Sequence, residues 1–363
     1  MSATPAADSE LGTAARLLHE ALAERREAVA TIDPRLLPDL DRLLTFVDSG
    51  KWLRPRFLLA GHRATGREPD EAVLRAAGSL ELIQACALLH DDVIDRSDTR
   101  RGDPSTHRAV AKEHADHGWS GDADHYGISV AILLGDLALA WADDIFTAAA
   151  ADLDALTATL PVWRDMRTEV LAGQLLDLRA TADLADAPEA QIADASAINR
   201  YKTAAYTVER PLHLGAALAG AGHDTIAALR EYGAAIGVAF QLRDDLLGVF
   251  GDPAVTGKPA GDDLVEGKRT VLLALAREPL TGTPDLDELD AGIGRSNPPG
   301  GIDRLRDLIA ATGAPERLES RIAQLHAEGL EALRRTTDGA PVVATSAAAD
   351  LTDLARRAVF RER

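Results

Sequence analysis

Two clusters of aspartates stand out in a largely apolar chain: Asp91-Asp92-Val-Ile-Asp95 and Asp244-Asp245-Leu-Leu-Gly248. From Ser79 to Ile94 the only charged residues are Glu81, Asp91 and Asp92; from Tyr232 to Phe250 they are Arg243, Asp244 and Asp245. A helix that is apolar nearly all round belongs inside a protein, so each cluster is expected near the carboxyl end of a buried helix. There the macrodipole already disfavours negative charge. Asp91 and Asp95, four residues apart, also share a helix face and repel each other. A bound divalent cation removes both costs. Carboxylates gathered without cysteine or an organised histidine set select a hard, oxygen-loving ion, Mg²⁺ or Mn²⁺. Mg²⁺ takes one or two carboxylates and completes its shell with water and substrate phosphate, so two aspartate pairs imply a phosphate ligand bridging them. Basic residues lie near these elements: Lys51 and Arg54, Arg100 and Arg101, Lys202, Lys258, and Lys268 with Arg269. One diphosphate held by metals and a second held by Lys and Arg alone give two substrate pockets, with an apolar helix running away from the metals. The residues thus describe a Mg²⁺-dependent enzyme acting on apolar diphosphates.

The elements that must position these groups are helices. Residues 9 to 48 read as an amphipathic helix and a shorter one parted near Asp33-Pro34, and Ser49 to Pro55 as a polar lead into a buried helix from about Arg56. The first cluster helix spans 69 to 96 and ends in the breaker chemistry of Arg100-Arg101-Gly102-Asp103-Pro104. His107 to Gly127 is polar and His-rich, a loop around a short helix. Further helices follow at about 128–149, 152–182, 188–219 and 223–250. Gly251 to Lys268 is a loop able to cover a site. After about 282 the pattern loosens into a turn at Asn297-Pro-Pro-Gly-Gly301 and two or three peripheral helices. No linker-like break interrupts the pattern, so the 363 residues are expected to form one all-α domain, with residues 1–8 disordered.

Composition narrows the function further. The net charge of −19 and the lack of any basic stripe exclude nucleic acid as a partner. A lone cysteine, Cys86, excludes an internal disulfide and fits a reducing, cytoplasmic setting. Met1 to Asp8 has no signal pattern, and the best transmembrane candidate, Ile128 to Ala142, is interrupted by Asp136.

The spaced motifs resemble those of the trans-isoprenyl diphosphate synthases of the polyprenyl synthetase family. The first aspartate motif is followed by Asp98, Arg100-Arg101-Gly102 and Pro104 in family spacing. The second reads Gln241-Leu-Arg-Asp244-Asp245-Leu-Leu-Gly248, with Thr256-Gly257-Lys258 and Gly261-Asp262-Asp263 to Gly267-Lys268 behind it. Gly50-Lys51 with Arg54-Pro55, Gly135-Asp136, Gly173-Gln174 and Lys202-Thr203-Ala204-Ala205 also match. The resemblance is strong over about residues 45 to 275 and weak in the C-terminal helices. It implies an isoprenoid synthase-type helical bundle around a central active-site cavity, acting as a homodimer.

Residue by residue, the resemblance implies that Asp91 and Asp95 ligate two Mg²⁺ ions and Asp244 a third, with Asp245 and Asp263 in its water shell and Asp92 completing the first motif; Mn²⁺ is expected to substitute. Arg100, Lys202, Lys258 and Lys268 would contact an allylic diphosphate (dimethylallyl, geranyl or farnesyl). Lys51, Arg54, Gln84 and Arg101 would hold isopentenyl diphosphate; Gln84 stands where many bacterial relatives carry His, and either side chain can donate a hydrogen bond. Gly248 replaces the third aspartate of the fullest second motif. The expected reaction ionises the allylic C–O bond, with Thr203, Gln241 and the Lys202 backbone carbonyl stabilising the cation that the alkene of isopentenyl diphosphate attacks. The released diphosphate is the expected base, which agrees with the lack of a convincing general-base histidine. Small residues at Ala87 and Cys86, with Ile83 a turn deeper, imply a C20 product, geranylgeranyl diphosphate; C15, or C25 and above, are the alternatives. A class I terpene cyclase would lack Asp244-Asp245, and a non-catalytic partner subunit would have lost metal ligands.

Blander readings compete at single positions. An isolated acidic run is as often a solvated helix end, and Arg100-Arg101 can cap a helix dipole. His90 reads as a packing residue. His114 and His117 hint at zinc, but the segment offers no thiols, so polar surface is the expectation. Thr256-Gly257-Lys258 fails as a nucleotide loop because Pro259 stands where Ser or Thr is needed.

Overall fold

The computed structural model describes residues 9–47, 50–182, 188–252, 260–296, 298 and 300–360. The fold is all-α, as expected. The only strands among the described residues are two antiparallel pairs, β1 (Thr99–Arg100) with β2 (Asp103–Pro104) and β3 (Thr336–Thr337) with β4 (Ala340–Pro341). The chain forms two compact units: residues up to Leu59 with Glu68–Leu160, and Ala60–Arg67 with the chain from Pro161 onward.

In the first unit α1 (Glu10–Ile32) and α2 (Leu37–Val47) are joined by a 3₁₀ turn at Pro34–Leu36, where the parting at Asp33-Pro34 was expected. The chain then enters α3 (Leu53–Arg63), which starts three residues earlier than its polar lead suggests. The central helix is α4 (Glu71–Ile94), opened by Asp70, whose carboxylate accepts from the Val73 N–H at 3.0 Å. By length and composition α4 could cross a membrane, whereas the segment singled out by hydropathy was Ile128 to Ala142. Since 72% of its most apolar stretch is buried, its apolarity faces the core.

Two further helices complete this unit, α5 (Thr106–Asp116) and α6 (Ala123–Asp152). Ala131, Gly135, Ala138, Ala142, Ile145 and Ala149 form a buried seam at alternating spacings of four and three along α6, and small residues there let α6 lie close against α4. The expected loop from His107 to Gly127 is mostly these two helices, with a turn at 117–122. Its polar look misleads because α5 buries His107 and His114 along with Val110 and Ala111. His114 is therefore core rather than polar surface. Its ring packs edge-on to Trp119 at 5.8 Å and its Nε2 lies 3.1 Å from the Ser120 carbonyl.

The second unit is built on α10 (His223–Phe250), preceded by α7 (Leu156–Ala182), α8 (Pro188–Ile198) and α9 (Arg210–Leu218). Between α8 and α9 the expected continuous helix becomes a π-helix over Asn199–Glu209. It lies against α10 where Gly233 and Gly237 leave room: a Cβ on Gly237 would come within 2.8 Å of Ala204. The loop expected over 251–268 contains a one-turn helix, α11 (Asp262–Glu266). After α12 (Val271–Leu280) there are four helices among the described residues, not two or three: α13 (Pro284–Gly292), α14 (Gly301–Ala311), α15 (Ala314–Ala332) and α16 (Thr345–Val359). They are less peripheral than their loose pattern suggests. Along them Leu305, Leu318, Ile322 and Leu351 are fully buried, and the buried Tyr232 hydroxyl donates to the Leu351 carbonyl at 2.6 Å.

Candidate active-site residues

The first aspartate cluster closes α4. Asp91 lies in its last turn and Asp95 caps it, the Asp95 N–H donating to the Asp91 carbonyl at 2.8 Å. Asp91 is half-buried and Asp95 exposed, whereas Asp92 is buried. Asp92 accepts from the Arg100 Nε at 2.9 Å. Burial works against the Arg100 charge, but Asp92, with Asp91 and Asp95 beyond it, more than offsets this and raises its pKa. The cluster therefore divides: Asp91 and Asp95 present accessible oxygens, and Asp92 anchors Arg100 beside them.

Arg100 and Arg101 are aimed apart by the β1–β2 hairpin. Its two-residue loop has positive φ at both Arg101 (+58°) and Gly102 (+91°), as the tightest hairpin turns require. Glycine adopts this at no cost, but an arginine there is strained. Arg101 consequently turns toward Glu81. A Cβ added at Gly50 would lie 3.7 Å from both the Arg101 guanidinium and the Glu81 carboxylate. Gly50 (φ +133°) and Trp52 (φ +51°) carry the chain through left-handed conformations that bury Trp52 while leaving Lys51 exposed and Arg54 buried.

Glu81 is only 4% exposed. Burial pushes its carboxyl up to about 7 against the pull of Arg54 and Arg101. The folded state therefore holds a proton that the unfolded chain releases near pH 4.5, and this contribution to stability is lost as pH rises toward about 7. Glu81→Gln is expected to flatten the stability profile across that window, as read by thermal unfolding at stepped pH; a variant with the parental slope would contradict the assignment.

Along α4, Gln84, Ala87 and Asp91 are half-buried, one turn apart on a common stripe, while Ile83 and Cys86 are buried. The Cys86 thiol, pushed up to about 12 by burial, lies 3.8 Å from His90 Nδ1. His90 in turn packs where Gly135 has no side chain, a Cβ there falling 2.2 Å from its Nε2. His90 is thus a packing residue, as its setting in the sequence suggested.

In the second unit Asp244 is half-buried and Asp245 buried. Gln241 donates to Asp245 at 2.9 Å and Asn199 at 3.2 Å. Burial raises the Asp245 carboxyl to about 7 despite these bonds. Gln241, expected beside the reacting cation, here braces an aspartate. Asp263 comes up to α10 through the space at Gly248, where a Cβ would lie 1.9 Å from its Oδ2. Lys268 Nζ sits 3.0 Å from Asp263 and 2.6 Å from Glu266. Burial would lower its pKa, but the two carboxylates outweigh this and raise it. Gly248→Asp, which restores the third aspartate of the fullest motif, is accordingly expected to lower stability by about 1–3 kcal/mol through overpacking. A denaturant melt measures this, and a gain would contradict the packing.

Lys202 and Thr203 ride on the π-helix, both half-buried. Lys202 Nζ is 2.6 Å from Asp177 on α7. The two segments approach closely because Gly173 has no Cβ, which would otherwise fall 2.3 Å from the Lys202 nitrogen. Asp177, four residues beyond Gly173, escaped the sequence reading, although that one-turn spacing was visible. Lys258 lies outside the described residues, as do Thr256 and Gly257.

Among the described residues no three histidine, cysteine or acidic side chains form a ready-made metal cage. The accessible carboxylates of Asp91, Asp95 and Asp244 are oxygen donors of the kind Mg²⁺ takes in ones and twos alongside water and phosphate, and they fit that ion rather than zinc.

The sequence profile of the family described as polyprenyl synthetase matches residues 41–299. The chain is 33% identical over 323 residues to geranylgeranyl diphosphate synthase of Mycobacterium tuberculosis, covering 85% of each chain. It is 32% identical over 276 residues to geranylfarnesyl diphosphate synthase of Aeropyrum pernix, covering 75% of this chain and 79% of the other. A crystal structure of geranylgeranyl pyrophosphate synthase from Corynebacterium glutamicum, complexed with isoprenyl diphosphate and magnesium, is similar with a TM-score of 0.89 and 45% identity, over 96% of this chain and 98% of that one.

Proposed function

This chain belongs to the polyprenyl synthetase family, and from that premise we propose that it joins isopentenyl diphosphate to an allylic diphosphate with Mg²⁺, making geranylgeranyl diphosphate as its main product. The observation that carries the reading is the pair of accessible carboxylates, Asp91 and Asp95, at the end of a buried apolar helix. That placement costs stability, a cost that a bound cation would offset. The C20 product is supported by the small, accessible Ala87 one turn before Asp91, and by the likeness to synthases bearing that product's name.

Asp91 and Asp95 would hold two Mg²⁺ ions and Asp244 a third, with Asp92, Asp245 and Asp263 orienting them; Mn²⁺ would serve in their place. When bound, these ions offset the charge that gathers on the departing diphosphate. Arg100, fixed by Asp92, adds positive charge beside the metal-binding oxygens. Lys202, steered by Asp177, and Lys268 with Lys258 bind the allylic diphosphate. Lys51, Arg54, Gln84 and Arg101 bind isopentenyl diphosphate, with the buried Glu81 beside the two guanidinium groups. Thr203 and Gln241 offer oxygens to the allylic cation. The active species is a homodimer, a state that light scattering checks. Release of diphosphate on mixing the protein with isopentenyl and farnesyl diphosphates tests the reaction: it should require Mg²⁺ and stop on chelation, and Mg²⁺-independent release would overturn the reading.

A further inference from the structure

Two side chains at opposite ends of the π-helix hold each other: the Arg200 guanidinium is ion-paired with the Glu209 carboxylate. Nine positions separate them. At 3.6 residues per turn, nine positions of α-helix make two and a half turns and place the two side chains on opposite faces. Hydrogen bonds running i→i+5, as from the Arg210 N–H to the Ala205 carbonyl, turn the chain more slowly, so that nine positions come to about two turns. The pair can form only in the π register.

The surroundings favour that register. Glu209 is 1% exposed, and Arg230 of α10 brings its Nε to 3.1 Å from the same carboxylate. A π-helix is wider than an α-helix, and α10 gives way to it at Gly233, where a Cβ would lie 2.6 Å from Glu209 Cα, and at Gly237 beside Ala204. A return to α-helix would rotate Lys202 and Thr203 about the axis. It would also pull Lys202 from Asp177 and Asn199 from Asp245.

We propose that Arg200 and Glu209 are positioning residues whose ion pair locks the π register and so fixes the presentation of Lys202 and Thr203 to the allylic substrate. The proposal rests on the roles given to those two residues above. Arg230 supplies the contrast, since it touches the same carboxylate from another helix and spans no π turns.

Three variants test it by steady-state kinetics, thermal unfolding and crystallography. Arg200→Met should lower kcat about 10²-fold through misplacement of the reacting groups, with KM for isopentenyl diphosphate unchanged. Its unfolding midpoint should fall no further than that of Arg230→Met, which should keep kcat within a few-fold. Arg200→Lys, still able to pair, should recover most of the loss, and crystals of Arg200→Met should show i→i+4 bonds over 199–209. Equal kcat losses in the two Met variants, or an Arg200→Met crystal structure that keeps i→i+5 bonds, would overturn the proposal. If Arg200→Met does not fold, Glu209→Gln, which keeps the shape and removes the charge, must show the same kcat-only loss, and parental kcat there refutes it. A wild-type protein that elongates no primer would refute the reading of the site instead, and the crystallographic comparison would still decide the register.

Discussion

Asp91→Asn is expected to abolish turnover, lowering kcat about 10³-fold or more, because a lost metal ligand removes several kcal/mol of charge stabilisation from the ionising bond. The fold should survive. Asp91 is half-buried at the carboxyl end of α4, and taking a negative charge from that end of a helix is worth about 0.3–1 kcal/mol in the stabilising direction. Without Mg²⁺ the variant should therefore unfold at or slightly above the parental temperature. Activity and stability then move in opposite directions. A merely structural aspartate would lower both, and retention of activity within tenfold would remove the metal role.

The second large effect is on product length. Ala87 shares the accessible stripe of α4 with Gln84 and Asp91, and a phenylalanine there stands one turn, about 6 Å, along the axis from Asp91. A chain growing from a diphosphate held at Asp91 should meet that ring early, so Ala87→Phe should turn the main product from C20 to C15. Cys86→Phe serves as the contrast. Its side chain points toward His90, so the ring meets packed core and should cost about 1–3 kcal/mol by overpacking before it shortens any product. Chromatography of the dephosphorylated alcohols reads both outcomes; an unchanged C20 product from Ala87→Phe would discard the stripe as the channel wall.

What was legible in the sequence was what depends on short-range periodicity. Asp91 and Asp95 could be placed on one face of a buried helix because four residues make one turn, and α4 bears this out. The division of the second cluster came from the family resemblance and not from periodicity; in the structure Asp244 is half-buried and Asp245 buried. In the sequence Gly248 is a missing ligand; its use appears only in three dimensions, as the space Asp263 occupies. Glu81 was the lone charge in the apolar run before Asp91 and received no role, because Arg54 and Arg101 reach it from distant parts of the sequence. The π-helix was invisible for another reason. One extra residue per turn leaves no composition signal, and a search for 3.6-residue periodicity runs through Asn199–Glu209 as ordinary helix. Polar residues misled once, at α5, where buried histidines look like loop.

The most direct test of the account is incubation of the protein with labelled isopentenyl diphosphate and Mg²⁺, offering dimethylallyl, geranyl and farnesyl diphosphate in turn and sizing the products. Mg²⁺-dependent elongation ending chiefly at C20 is expected. A main product at C15, or at C25 and above, would refute the chain-length assignment alone, and cyclised hydrocarbon or no elongation with any primer would contradict the central claim.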